Sequence, residues 1–195
     1  MHNAYIFIGQ SGAGKGTQVS LLKEKFEKLN DNPSILLLAT GNIFREFAKS
    51  TSYTAQKTKT YMEEGILPPP FIGIHVWSHE LINRYDGQQY VILDGAPRVP
   101  DEVPVLLSAA RFYNWKTHVV FINVSDTWAE ERLIGRGRAD DVNDQERTER
   151  LKWYHDNVMP AVQLLRNAPD VHLVDINGEQ PIEKVHEDIC AALNL

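Results

Sequence analysis

The residues best suited to chemistry lie in a glycine-rich segment, 9–17, with the sequence GQSGAGKGT. Glycine lets backbone N–H groups wrap closely around a phosphate, and a helix that begins at the end of such a loop adds partial positive charge there. Lys15 supplies a full charge on a flexible stem, which suits contact with a phosphoryl group during its transfer. The segment therefore predicts a phosphate-binding loop, or P-loop.

The context of this loop strengthens that prediction. An apolar run, 4–8, precedes it as a short strand, and a helical pattern follows over 15–29, which is the order that a P-loop requires. A glycine-rich turn with an incidental lysine is therefore disfavoured. Gly16 separates Lys15 from Thr17, whereas the simple P-loop pattern has Ser or Thr directly after the lysine. Taken alone, the motif indicates only that the chain binds a nucleoside triphosphate.

The elements that must position this loop follow an alternating pattern. Short, continuous apolar runs separated by helical segments are typical of a parallel sheet that is covered on both faces. The pattern predicts an α/β fold with a doubly wound, five-stranded parallel sheet. Met159-Pro160 is expected to kink or break the longest helix. The predicted strands are 4–8, 35–39, 90–93, 118–124 and 171–174, and the predicted helices are 15–29, 43–50, 54–64, 71–84, 101–112, 127–136, 144–166 and 181–192.

Composition limits the classes of protein to which the chain can belong. It has 195 residues, of which 43% are hydrophobic and 24% charged, so one compact domain is expected. The net charge of −6 disfavours a general nucleic-acid binder. Cys190 is the only cysteine, which excludes an intrachain disulfide and favours a reducing, cytoplasmic location. Segment 1–9 is predicted as a strand rather than a signal peptide, and no apolar run reaches the ~20 residues of a membrane helix.

Five short segments that run from Ile6 to about Ala191 carry glycines, acids and arginines in a recognisable order. They are 14–18 (GKGTQ), 40–45 (TGNIFR), 93–98 (LDGAPR), 132–136 (RLIGR), and 137–141 (GRADD) with 150–154 (RLKWY). In this order they resemble the adenylate kinase family, in its short-lid type. The resemblance implies a P-loop fold with small inserts and reversible phosphoryl transfer from Mg-ATP to a nucleoside monophosphate (NMP).

The resemblance also implies a role for each matching residue. On the ATP side it assigns Gly12, Ala13, Gly14, Lys15, Gly16, Thr17, Arg132, Arg136 and Gln180. On the NMP side it assigns Thr40, Gly41, Arg45, Ile66, Leu67, Pro68, Gly95, Arg98, Glu102, Arg138 and Arg150. The implied catalytic residues are Lys15, Arg98, Arg132, Arg138 and Arg150. Mg²⁺ is expected without a direct protein ligand, hydrated near Asp94 and Thr17.

These residue types suit the implied reaction. A phosphate acceptor is already anionic near neutral pH, so it needs no general base. The difficulty is to hold two polyanions in line, which makes positioning and electrostatic stabilisation the main contributions. Arginine binds phosphate oxygens in pairs and keeps its charge. The alternative for Arg132, Arg136 and Arg150, taken singly, is a solvated helix face. Arg84 and Arg111 match nothing in the family and are expected to be surface charges.

The resemblance predicts one domain, 1–195, with an NMP-binding insert at about 40–70 and a minimal lid at 136–141. Only Gly137 separates Arg136 from Arg138, and Gly135 and Gly137 would permit the backbone changes of lid closure. Two interpretations of the adjacent acidic pair at 140–141 stay open. It could hold the arginines by ion pairing, or it could be a solvated turn before the next helix.

Glu102 is the most consequential departure from the family pattern. Adenylate kinases typically carry Gln there, and an amide can both donate to N1 of adenine and accept from its amino group. An ionised Glu102 can only accept, which suits guanine better. Thr40 nevertheless matches the AMP-type segment. AMP is therefore the favoured acceptor, GMP is the alternative, and Glu102 could also point away from the base. Ser11, Asn42 and Ala96 are milder departures, from Pro, Asp and an aromatic residue.

Two other functions, one of them not enzymatic, compete with this interpretation. A nucleotide-sensing module would retain the fold but lose part of the lysine and arginine set, whereas here the whole set is present. A P-loop kinase for a non-nucleotide metabolite is disfavoured by segments 40–45 and 93–98. The expected partners are ATP and an NMP, with no nucleic acid and no membrane, and the resemblance suggests a monomer.

Overall fold

The computed structural model describes residues 2–29, 33–63, 68–136 and 144–195, with the backbone alone at 2, 136, 144–147 and 150. Within these ranges, five strands form one parallel sheet in the order β2-β3-β1-β4-β5. This confirms the predicted sheet. The strands are β1 (His2–Gly9), β2 (Ile35–Ala39), β3 (Tyr90–Asp94), β4 (Trp115–Asn123) and β5 (Val171–Asn177).

Helices cover both faces of the sheet, as a doubly wound fold requires. Alternate residues of the central strand point to opposite faces. Ala4 and Ile6 pack in a core with side chains of α4, α5 and α8, whereas Tyr5 and Phe7 pack with α1 and α9. The helices are α1 (Lys15–Glu27), α2 (Thr40–Phe47), α3 (Tyr53–Glu63), α4 (Pro70–Arg84), α5 (Glu102–Phe112), α6 (Asp126–Arg136), α7 (Asp144–Trp153), α8 (Met159–Arg166) and α9 (Ile182–Leu193).

The central strand is buried on both sides, which explains why its sequence is a continuous apolar run. Residues from Ala4 to Ile8 are at most 2% exposed. Burying one large apolar side chain contributes about 1.5–3 kcal/mol, so this strand fixes the two helical layers against each other. The loop that follows it is thereby attached to a strand that is packed on both faces.

The long helical segment predicted over 144–166 is not a single α-helix. It consists of α7, a π-helical turn over Tyr154–Val158, and α8. Pro160 has no N–H to donate within the helix, and the wider π-helical turn precedes it. The predicted irregularity is therefore present, but it begins at Tyr154, before the Met159-Pro160 pair. None of the helices in the described ranges is long and apolar enough to span a membrane.

Candidate active site

The carboxyl ends of the three strands β1, β2 and β3 bring the predicted site residues to one edge of the sheet. In the strand register, Phe7 of β1 and Ala39 of β2 both lie opposite Asp94 of β3. The glycine-rich loop, α2 and the turn after β3 begin immediately beyond these positions. Ligands bind at this edge in open α/β sheets, and the geometry fits the site that the sequence predicts.

The P-loop turns sharply at glycines whose conformation other residues rarely adopt. Gly12 has φ +91°, and a Cβ there would lie 2.6 Å from the carbonyl oxygen of Ala129. Gly14 has φ +85° and forms the N-cap of α1, with no side-chain hydrogen bond to the helix end. The first turn of α1 also contains no acidic residue. The positive end of α1 is therefore open to an anion.

Lys15 folds over this loop. Its Nζ donates to the carbonyl oxygens of Gly9, at 2.7 Å, and of Gln10, at 2.8 Å. The side chain is half-buried, while Gly14, Gly16 and Thr17 are exposed. The ammonium group thus lies on the loop, where a phosphate bound by the backbone N–H groups would meet it.

Asp94 ends β3 beside the P-loop. Its Oδ2 lies 3.9 Å from the point that a Cβ would occupy if Gly16 were replaced by another residue. Thr17, in the first turn of α1, is exposed on the same loop. Carboxylate and hydroxyl oxygens are the ligand types that suit Mg²⁺, which keeps several of its waters. The residues present therefore fit a hydrated magnesium ion, as the resemblance implies.

Thr40 and Arg98 join the start of α2 to the turn after β3. The buried Thr40 hydroxyl lies 2.9 Å from the carbonyl oxygens of both Asp94 and Gly95. The Arg98 Nε donates to the Gly95 carbonyl oxygen at 2.6 Å, and its Nη2 donates to the Thr40 hydroxyl at 3.3 Å. These contacts hold the guanidinium group of Arg98 at the strand ends.

A second guanidinium group meets Arg98 at Gly41. A Cβ at Gly41 would lie 3.6 Å from Nη1 of Arg45 and 3.9 Å from Nη2 of Arg98. Arg45 is exposed and donates to the side-chain oxygen of Asn42, one turn earlier on α2. Two planar cations that converge on one glycine are suited to bind an anion such as a phosphate.

Glu102 lies buried behind these arginines, at the start of α5. Its side chain is 5% exposed, and its Oε2 accepts a hydrogen bond from the backbone N–H of Arg98 at 3.4 Å. Burial raises the pKa of Glu102 to about 7, against an opposing effect of the Arg98 charge. The carboxyl group is therefore neutral in a substantial fraction of molecules near pH 7.

A separate cavity lies on the other side of the P-loop, between α6 and α9. Arg132 lies over the Trp128 ring, with 4.5 Å between its guanidinium carbon and the ring centroid. Gln180 donates to the Asn177 carbonyl oxygen at 2.9 Å and to the Asp188 carboxylate at 3.0 Å. The cavity is lined by Gly12, Ala13, Gly14, Thr17, Gln18, Trp128, Arg132, Gly178, Gln180, Ile182 and Val185.

Sequence reasoning missed two features of the site. No motif marks Trp128, although its spacing of four residues from Arg132 puts both on one face of α6. Gln10 is buried and donates to Asp126 at 2.8 Å, and Asp126 also contacts His155 of the π-helical turn at 3.0 Å. Although burial acts to raise the pKa of Asp126, hydrogen bonds from Gln10 and His155 lower it.

Several predicted residues lie outside this description. Ile66, Leu67, Arg138 and the acidic pair at 140–141 fall outside the described ranges. Arg136 and Arg150 are described through their backbones alone, at the end of α6 and within α7. Pro68 is half-buried just before α4.

Comparison with protein families identifies one that covers most of the chain. A family model described as adenylate kinase matches residues 7–169, which include the P-loop, both converging arginines, Glu102 and Arg132. The chain belongs to the adenylate kinase family. It is therefore a nucleoside-monophosphate kinase, which transfers a phosphoryl group between ATP and an NMP.

Individual adenylate kinases match over their full length. The adenylate kinase of Prochlorococcus marinus is 32% identical over 195 residues, with 100% of each chain covered. That of Leptospira biflexa is 31% identical over 193 residues, covering 96% of this chain and 98% of its own. That of Corynebacterium aurimucosum is 29% identical over 190 residues, covering 97% and 98%. Adenylate kinases of this length thus align with the whole fold described above.

Proposed function

We propose that the acceptor is AMP, so that the enzyme interconverts ATP plus AMP with two ADP. The observation that carries this is the convergence of the Arg45 and Arg98 guanidinium groups at Gly41, next to Thr40 and across the strand ends from the P-loop. An NMP phosphate bound there would face a donor held by Lys15. The three relatives described above are adenylate kinases, which supports AMP as that acceptor.

The donor is assigned to the other side of the loop. The backbone from Gly12 to Thr17, with Lys15, would bind the ATP phosphates, and the adenine would enter the cavity beside Trp128 and Arg132. Gln180 lines the same cavity and would lie near the base. An arginine that already stacks on an indole presents its other face to a nucleobase without further ordering.

This chain's residues would act by position and charge. Lys15 and Arg98 would neutralise the phosphoryl group in transit, with Arg132, Arg138 and Arg150 as further catalytic cations. Mg²⁺, hydrated near Asp94 and Thr17, would supply further neutralisation of the phosphate charge when bound. Each charge-assisted hydrogen bond contributes about 1.5–3 kcal/mol, so several converging on one group supply much of the barrier reduction.

The inserts follow from this assignment. We propose that 40–70 forms the NMP-binding part of one domain, 1–195, and that 136–141 is a minimal lid. Within 40–70, the backbone near Ile66, Leu67 and Pro68 would line the acceptor nucleoside, while Gly95 would lie beside its phosphate. Arg136 would serve the ATP side of the lid. A monomer is proposed, and light scattering during gel filtration would test it.

The test is an acceptor assay with Mg-ATP and each of AMP, GMP, CMP, UMP and dTMP at pH 7. We expect transfer to AMP at the highest kcat/KM. Arg45→Lys should raise the KM for AMP, because lysine cannot bind phosphate oxygens in pairs. The matched control is Arg84→Lys, since Arg84 on α4 pairs with Glu80 outside the site. Preferred transfer to another NMP would contradict AMP as the acceptor, and ATP binding without any transfer would favour a sensing module.

A further inference from the structure

The Glu102 carboxyl group occupies a small space between α2, α4 and α5. A Cβ at Gly73 of α4 would lie 2.9 Å from Glu102 Oε1 and 4.0 Å from the Phe44 ring. Any side chain at position 73 would therefore displace the carboxyl group. Glycine at this position leaves room for the carboxyl beside an aromatic ring, which is an environment suited to a nucleobase.

This carboxyl group has hydrogen-bonding capacity to spare. Within the described residues, the long contact from the Arg98 N–H to Oε2 is its only hydrogen bond of regular geometry. The Trp77 indole N–H is buried nearby and acts weakly on the carboxyl, without forming a regular bond. A buried polar group with few partners is expensive to maintain unless a ligand completes its bonding.

The charges around Glu102 leave both of its protonation states accessible. From the turn after β3, Arg98 favours the ionised form. The faces of α4 and α2 that reach it present Gly73, Trp77 and Phe44, none of which is charged. On its own helix end, the neighbouring Asp101 is exposed. Burial outweighs the arginine, so the pKa of Glu102 lies at about 7.

The two protonation states match different bases. A neutral carboxyl group has one O–H donor and one carbonyl acceptor, which complement N1 and the amino group of adenine. A carboxylate has two acceptors, which complement the adjacent N–H and amino group of guanine. A base-edge mismatch of this kind leaves a buried polar group unpaired and is strongly selective.

We propose that Glu102 sets the base specificity of the acceptor site through its protonation state, the neutral carboxyl group binding adenine and the carboxylate binding guanine. This inference rests on the proposed function, in which AMP is the preferred acceptor at neutral pH. Adenine binding then requires a proton that guanine binding does not, and the preference between the two acceptors depends on pH.

The ratio of kcat/KM for AMP to that for GMP measures this directly. Both acceptors carry the same phosphate, so its titration and that of the catalytic groups cancel in the ratio. The ratio should follow that of neutral to ionised Glu102, which changes about tenfold per pH unit, or about a hundredfold between pH 6 and pH 8. AMP should be favoured at the lower pH.

Two variants distinguish the effect of the Glu102 carboxyl group on this ratio from that of other nearby groups. Glu102→Gln keeps a donor and an acceptor at every pH, so the ratio should favour AMP and become independent of pH. The matched control is Asp101→Asn, which removes a neighbouring but exposed carboxylate at the same helix end. That variant should keep the full pH dependence of the wild type.

Proton uptake provides a test that needs no turnover. Calorimetric titration of AMP at about pH 8, in buffers of different ionisation enthalpy, should show uptake approaching one proton per AMP in the wild type. Glu102→Gln should show none, and GMP should cause none in either protein. At this pH the AMP phosphate is already a dianion, because its second pKa is near 6, so it does not contribute.

The outcomes distinguish this inference from the function on which it rests. A pH-independent AMP-to-GMP ratio in the wild type, with AMP still a good acceptor, would overturn the role of Glu102 alone. Absence of proton uptake on AMP binding would do the same. If the wild type accepts AMP at no pH but transfers to another NMP, the proposed acceptor is wrong and the inference fails with it.

Discussion

Lys15 donates two hydrogen bonds to the carbonyl oxygens of its own loop. A bound phosphate would compete for the same ammonium group, and a charged acceptor is the stronger partner. These bonds therefore hold the lysine close to the proposed position of the phosphates. Little ordering of its flexible stem remains to be done during catalysis.

Replacing this lysine tests that role. Lys15→Met keeps the length of the side chain and removes its charge, so we expect kcat to fall at least about a hundredfold, the scale for one preorganised donor. Phosphoryl transfer to AMP is the measurement. Lys23→Met, on the exposed face of α1 where Lys23 pairs with Glu27, is the control and should retain turnover. Near-wild-type turnover of Lys15→Met would refute the assignment of this loop.

Substitutions at Trp128 or Arg132 should weaken the binding of ATP, the donor, and leave the binding of AMP unchanged. Trp128→Leu removes a cation–π contact worth about 0.5–1 kcal/mol at an exposed site, so the KM for ATP should rise about two- to fivefold. The KM for AMP should stay unchanged because the acceptor arginines lie across the loop. Initial rates measured with ATP and AMP varied in turn give the two KM values. A rise in the KM for AMP alone would contradict the assignment of the two sides.

At the scale of elements, the P-loop depends on the packing of α6 beneath it. A Cβ at Gly12 would meet the backbone of α6 at Ala129, whereas a Cβ at Gly87, in the turn before β3, would meet nothing. Both glycines have positive φ, at +91° and +87°. An alanine at either position would therefore be strained by the left-handed backbone conformation. Only at position 12 would it also clash with the backbone of α6.

Gly12→Ala and Gly87→Ala use that difference. Gly87→Ala should lower the free energy of unfolding by about 1–2 kcal/mol, the cost of a left-handed conformation, without a loss of ATP binding. Gly12→Ala should lose more stability and should weaken ATP binding, because the loop must move away from Ala129. Urea unfolding and calorimetric titration of ATP measure the two effects. Equal losses in both variants would contradict a role for this close contact.

The elements were largely predictable because the strands contain short apolar runs and the central strand is buried on both faces. The continuous run from Ala4 to Ile8 indicates a central strand directly, and the predicted 35–39 agrees with Ile35–Ala39. Helix α2 begins at Thr40, three residues before the predicted start. Gly41 and Asn42 are poor helix formers, so local propensity does not predict a helix there. Tertiary contacts override propensity there.

The placement of candidate site residues was predictable where a sequence motif specifies the turn, and not where it depends on packing between distant elements. The glycines around Lys15 and the DGAPR segment specify their own turns. Two contacts depend on where α6 lies, which no local sequence pattern predicts. They are the stacking of Arg132 on Trp128 and the hydrogen bond from Gln10 to Asp126. The burial of Glu102 depends likewise on Gly73, which is distant in sequence.

At the scale of the whole molecule, a buried histidine, His118, couples stability to pH. The Nδ1 atoms of His118 on β4 and His172 on β5 lie 3.3 Å apart, and Tyr5 stacks on His118. Burial, with smaller effects of Lys116 and His172, lowers the pKa of His118 from 6.5 to about 4. Between these values the imidazole of the unfolded chain binds a proton that the folded protein does not, so the contribution of His118 to stability falls as the pH falls.

This shift predicts an acid-labile contribution to the stability of the sheet. The contribution of His118 to the free energy of unfolding should be fully retained above about pH 6.5 and should decrease by roughly 3 kcal/mol as the pH falls to about 4, while Glu102, with its pKa raised to about 7, acts in the opposite direction. His118→Leu should remove much of that decrease, whereas His79→Leu, on the exposed side of α4, should not. Urea unfolding of the three proteins across this range is the measurement. An unchanged pH dependence in His118→Leu would show that another group is responsible.

The central claim is that one enzyme holds an ATP and an AMP in line and exchanges a phosphoryl group between them. The most direct measurement starts from Mg²⁺ and ADP alone and follows the nucleotides by chromatography. The account predicts equal amounts of ATP and AMP, and their loss in Lys15→Met. Unchanged ADP, or AMP and inorganic phosphate without ATP, would contradict it.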